Sequence, residues 1–233
     1  MEPSRELVSG SYHCSHCGAA NDDVAEGEAL RLPLTGWDRG ALRFTSGVSD
    51  LALGAHGGPE DLLRASFRGA RPSIRAAGGE VRVHYQDALF DWIRQLLHGE
   101  RPAADLSLSS RVPWRILIEG GVTQVHARID ELDLEALEIR GGASDLDWKL
   151  PRPKGTVQLS IRGGASKVRF SRPPDVPVRL SVRGGVSHLR LDSQELAAVG
   201  GRLELETPGW ATAEHRYALT LSGGASHLTV SGW

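Results

Sequence analysis

Two cysteines three residues apart are the first places where this chain could do chemistry. In Tyr12-His13-Cys14-Ser15-His16-Cys17-Gly18 the Cys-x2-Cys-Gly spacing is half of a zinc ribbon. A turn of that length brings two thiolates within reach of one tetrahedral ion, and the glycine eases the backbone around it. No second cysteine pair exists. A closed site therefore needs His13, another histidine, or the same motif from a second chain, and in the last case zinc would clasp a dimer. Cys14, Cys17 and His13 are the candidate ligands and zinc the candidate cofactor; the alternative is a degenerate ribbon with two free thiols. A redox role is disfavoured because no helix start follows to lower a thiol pKa.

The second candidate is electrostatic. The chain carries 27 Lys and Arg against 29 Asp and Glu, a net of −2. Residues 140–190 hold eleven Lys and Arg and three Asp, a net of +8, which leaves −10 for the remainder. Arg140, Arg162 and Arg183 each stand directly before a Gly-Gly pair, and Lys167, Arg169 and Arg190 follow such pairs at outward parity. Like charges in a column repel unless an anion lies across them. These six residues are the candidate partner-binding site, and the partner is an acidic protein surface. It could be this chain's own acidic N-terminal arm, the DELDLEALE stretch of a neighbouring molecule, or a polyanion. Nucleic acid fits poorly, because no aromatic residues interleave with the outward basic positions to stack on bases.

Catalysis finds little support. The serines beside the glycines lack the Gly-x-Ser-x-Gly spacing of a nucleophile elbow, and a serine present in every repeat reads as structural. No Gly-Lys-Ser/Thr follows the double glycines, so they do not form a phosphate loop. His188 and His227 sit where other copies hold Asp50, Gln124, Asp145 and Lys167, a column that reads as a solvated face. No catalytic residue is assigned.

The elements that must position these groups are repeats. ILIEGGVTQVHA (116–127), LEIRGGASDLDW (137–148), LSIRGGASKVRF (159–170), LSVRGGVSHLRL (180–191) and LTLSGGASHLTV (219–230) align without gaps. Their first glycines, at 120, 141, 163, 184 and 223, are spaced by 21, 22, 21 and 39 residues, and the long step predicts a decayed sixth copy inside 196–207. RFTSGVSDLAL (43–53) is an outlying earlier copy. Each copy alternates apolar and polar residues on both sides of the glycines, so each is two short strands with one buried and one wet face. Face parity fits stacked parallel coils and antiparallel Gly-Gly hairpins equally well. The recurrence of Thr123, Ser144, Ser166, Ser187 and Ser226 at one offset favours stacked coils, in which the hydroxyls could hydrogen-bond along the ladder.

These units, preceded by GALRFTSGVSDLAL and LLRASFRGARPSIRAAGGEVRVHYQ, resemble bacterial β-strand-repeat proteins of the adhesin-like and toast-rack kind, over roughly residues 40 to 231. The resemblance implies a right-handed β-helix-like stack without an active site, in a family of mostly unassigned function. The fold expected is thus all-β, a parallel right-handed β-solenoid of coils of about 21 residues with one amphipathic helix. Residues 1–28 read as an arm bearing the cysteine motif and 29–85 as further strands. In 86–100 Leu89, Phe90, Ile93, Leu96 and Leu97 recur at helical spacing and predict a capping helix. Residues 101–115 read as a linker, and 116–233 as the solenoid. No run of 18 apolar residues and no apolar leader occur, so neither a membrane span nor secretion is expected, and a cytoplasmic location is. The function expected is a non-enzymatic scaffold that binds an acidic partner. The alternatives are a self-assembling structural protein, as polymer or homo-oligomer, and a zinc-clasped dimer.

Overall fold

Alternating apolar and polar residues fold every repeat into a rung of two strands, one on each side of a glycine corner. The computed structural model describes residues 22–23, 29–69, 72–85 and 103–233, and the cysteine motif and the helix expected over 86–100 lie outside them. Three successive rungs are β9 (Pro113–Glu119) with β10 (Val122–Arg128), β11 (Asp133–Arg140) with β12 (Ala143–Lys149), and β13 (Thr156–Arg162) with β14 (Ala165–Arg172). The first strand of each rung joins one sheet and the second joins the other, with parallel pairing between rungs. Parallel stacking therefore replaces the hairpin alternative for the repeats.

Among the described residues each sheet has ten strands, and the core lies between the sheets. Inward positions stack as ladders of like residues about 4.8 Å apart. Ile118, Ile139, Ile161 and Leu221 form one ladder, and Ala127, Trp148, Phe170 and Val230 form another on the facing sheet. All eight are buried. Trp148 and Phe170 thus point into the core, away from the outward basic positions.

The stacking order departs from the chain order at both ends. After β14 the chain forms β15 (Val178–Arg183) and β16 (Val186–Leu191), then turns back through β17 (Gln194–Val199) and β18 (Arg202–Glu206), which pair antiparallel with β16 and β15. The last rung, β19 (Arg216–Ser222) with β20 (Ala225–Gly232), slots between the β13–β14 rung and the β15–β16 rung. Residues 196–207 are therefore not a decayed coil but a reverse-running rung that ends the stack.

The other end repeats the device. There β3 (Gly40–Phe44) and β4 (Asp50–His56) are followed by a reverse-running pair, β5 (Asp61–Arg68) and β6 (Pro72–Ala77). Then β7 (Glu80–Tyr85) and β8 (Ala103–Ser109) fill the slot between them. Residues 101–115, expected as a linker, include β8 and the start of β9, so 29–85 and 116–233 share the same two sheets. The outermost strands at this end are β1 (Asp22–Asp23) and β2 (Ala29–Pro33).

The corner explains the double glycine. Gly163 has φ +139°, and a Cβ there would collide with the carbonyl of Gly141 stacked beneath it. Only a residue without a side chain fits where backbone rests on backbone. The residue after each corner threonine or serine is also left-handed: φ is 56° at Gln124, 52° at Asp145, 50° at Lys167, 57° at His188 and 55° at His227. Non-glycine residues adopt this conformation at some cost. Its recurrence in every repeat shows that the turn into the second strand imposes it.

An ion pair between a buried arginine and a half-exposed aspartate staples the inserted rung. Arg172, at the end of β14, is 2 % exposed and donates from Nη2 to Asp192 Oδ2 at 2.5 Å, while Nη1 donates to the carbonyls of Pro173 and Pro174. Asp192 follows β16, and its backbone N–H donates to Val230 of β20. The contact thus spans three rungs. Arg172→Met keeps the aliphatic stem but strands the aspartate, and because Asp192 is partly in water the expected cost is about 2 kcal/mol, below that of a wholly buried pair. A urea midpoint shift at unchanged slope checks this.

Candidate ligand-binding face

The Gly-Gly corner moves the chain from one sheet to the other, and it divides the six basic residues. Arg140, Arg162 and Arg183 end β11, β13 and β15 on the outer face of the first sheet. Lys167, Arg169 and Arg190 lie in β14 and β16, on the outer face of the second. They are not one surface.

Their neighbours divide them further. Arg140 donates to Glu138 at 2.9 Å and to Glu119 at 3.2 Å. The hydrogen bond from Arg140 holds the Glu138 carboxyl below its ordinary range against the opposing pull of burial, with the charges of Arg140 and Arg162 adding to it. Arg162 stands 3.3 Å from the same carboxylate. On the second sheet Lys167 pairs with Asp145 at 3.4 Å and Arg190 with Glu195 at 3.5 Å. Much of the acidic partner expected for the basic column is therefore supplied by the chain itself, from adjacent rungs. Arg183 and Arg169 have no acidic partner among the described residues.

The inserted rung reshapes the first face. Arg162 and Arg183 are not adjacent, because Ser222 of β19 separates them. Beyond Arg183 stands Arg202 of β18, its direct cross-strand partner, exposed and without an acidic partner among the described residues. Directly opposed like charges on one face are destabilising. Ser160, Thr220 and Ser222 floor a shallow depression of about 610 Å³ beside these arginines, bounded by Gln158, Glu138, Arg162 and Arg183. Small hydroxyl side chains leave the guanidinium groups standing proud of the sheet, where the donors of Arg183 and Arg202 are open to fork onto carboxylates. Sequence reasoning missed Arg202, because it lies in the stretch read as a decayed coil.

The opposite side of the corner is a second, open groove. It runs along the stack past Gly121, Gly142, Gly164, Gly224 and Gly185, with Ala143, Ala165 and Ala225 in its walls. The corner hydroxyls line it, but the expected ladder of hydrogen bonds does not form. Thr123 Oγ1 donates to the Ser49 carbonyl at 2.9 Å, while Ser144, Ser166, Ser226 and Ser187 have no partner among the described residues. His227 and His188, neighbours through the same insertion, stack face to face with ring centroids 4.6 Å apart. No group of three His, Cys, Asp or Glu able to hold a metal occurs among the described residues. Nor is any helix among them long and apolar enough to cross a membrane.

Comparison with known proteins agrees with this architecture. No protein of curated function matches the sequence significantly. A crystal structure of a protein from Clostridium sporogenes, assigned provisionally to cell adhesion, superposes with a TM-score of 0.65 at 15 % identity, covering 89 % of this chain and 99 % of that one. At that identity the likeness is one of fold. The profile of the family described as the N-terminal domain of toast_rack, DUF2154, matches residues 41–171, from β3 through β14. With more than half of its length matched, and with the ladder of glycine corners built by those residues, the chain belongs to the toast_rack N-terminal domain family.

Proposed function

We propose that the protein is a non-enzymatic scaffold that captures an acidic segment of a partner on the outer face of its first sheet. The observation that supports this reading is the Arg183–Arg202 pair: two exposed cations directly across a strand pair, neither matched by an acid among the described residues, with Arg162 one rung away across Ser222. A partner carboxylate lying over Ser222 would meet Arg162 on one side and Arg183 on the other, about 10 Å apart, two strand spacings. Such a ligand relieves the repulsion and gains charge-assisted hydrogen bonds. The adhesion assignment of the Clostridium protein is consistent with a role in capture, and is said of that protein alone.

The test uses fluorescein-labelled oligoglutamate as the probe, read by anisotropy. Arg162→Glu combined with Arg183→Glu should leave the circular dichroism spectrum intact, since both side chains are exposed, and weaken binding at least about tenfold. Wild-type binding should fall as salt rises. Equal affinity in the double variant removes this face as the site. The zinc-clasped dimer through Cys14, Cys17 and His13 is a separate proposal, tested by metal analysis of wild type beside Cys14→Ser.

A further inference from the structure

The two ends of the stack are finished differently. At the β1–β2 end one sheet finishes on β2, whose pairing slips before Pro33. Irregular, proline-bearing edges resist pairing with another chain. At the other end both sheets finish on complete strands without proline, β17 with six residues and β18 with five. Each is paired on one side only among the described residues.

The backbone directions of β18 follow from its pairing. Gly184 donates to the Gly201 carbonyl and Thr207 to the Val178 carbonyl, so Leu203 and Leu205, in phase with these, turn their N–H and C=O groups toward β15. Arg202, Glu204 and Glu206 must then turn theirs outward to the open edge. Among the inward side chains of this last rung, Leu196, Val199, Leu203 and Leu205 are only half buried, because no further rung among the described residues covers them.

We propose that this edge pairs with the same edge of a second copy, β18 antiparallel to β18 about a two-fold axis, joining two stacks end to end. The pattern of β18 is self-complementary. In the register that sets Arg202 opposite Glu204 of the other copy, Leu203 faces Leu203, and the Arg202–Glu204 pairing occurs twice by symmetry. Arg202, left with a like-charged neighbour within the monomer, gains an acidic one. On the facing sheet the middle of β17 is Ala197-Ala198, small and uncharged, and opposes nothing. The four half-buried apolar residues lose their remaining exposure.

Sedimentation equilibrium of the full chain at tens of micromolar should give twice the chain mass. Glu204→Pro is the decisive variant. It deletes an outward N–H that no described residue accepts from, together with one exposed ion pair to Arg179 at 3.3 Å, and sits where an edge strand accepts proline, so the fold should persist while the dimer is lost. The variant keeps Arg162, Arg183 and Arg202 and removes an acid beside them, so oligoglutamate binding should be no weaker than in wild type and the two readings fail separately. A wild-type monomer overturns the proposal. So does a dimer that survives Glu204→Pro, and if that dimer dissolves in chelator the association belongs to the cysteine motif instead.

Discussion

Deleting residues 216–233 should leave the chain from Pro173 onward unfolded while the rungs before it persist. The deleted rung fills a slot, not an end. Its two strands supply four of the parallel pairings in the stack, and without them β15 and β16 keep no strand pairing except with the reverse-running pair they fold against. Tyr217, Leu219, Leu221, Leu228 and Val230 are all buried. At roughly 2 kcal/mol each, their burial is worth about 10 kcal/mol, the size of a typical domain's whole net stability. An isolated four-strand remnant, its apolar face open, cannot offset that loss. Hydrogen exchange is the measurement: amides of 113–172 should stay protected and those of 178–206 should exchange freely. Protection of 178–206 in the truncated chain would show that the C-terminal end holds together without its inserted rung.

Gly163→Ala should cost on the order of 3 kcal/mol, while Gly164→Ala should be close to neutral. At Gly163 the added methyl meets the Gly141 carbonyl, and the residue keeps φ +139°, a conformation L side chains rarely adopt. At Gly164 nothing lies within 4 Å of the position a Cβ would take. The contrast separates the two halves of the motif: one glycine is required by contact between rungs, and its neighbour is not. Thermal or urea unfolding of the two variants beside wild type decides it, and equal stability of the pair would overturn the account of the corner.

What the sequence made legible was the columns. Identical residue types at identical offsets, Gly141 and Gly163, Leu137 and Leu159, Ser144 and Ser166, announce parallel stacking, because such ladders form only when rungs repeat in register. The order of the rungs was not legible, and for the same reason. Gly184 rests on Gly223 just as Gly163 rests on Gly141, so a column of like residues is indifferent to which member lies beside which. The 39-residue step before Gly223 was the one available signal. The stretch that seemed to have lost the motif in fact carries it inverted: read backward, Leu205 to Val199 spells LELRGGV, beside LSVRGGV at 180–186. A strand running the other way presents the same side chains in reverse order, so alignment in the forward sense could not find it. The candidate site failed similarly. Arg162 and Lys167 are five residues apart, yet the corner between them sends their side chains to different outer faces.

The out-of-order rungs also govern how such a protein can change length over generations. A duplicated coil can be accepted only where neighbours in space are neighbours in the chain, and here that holds for the three rungs between Pro113 and Arg172. Beyond them, at either end, a copied segment would have to displace a rung that arrives from elsewhere in the sequence. Growth by tandem gene duplication is thus confined to the middle of the stack, and its two terminations are inherited as fixed pieces.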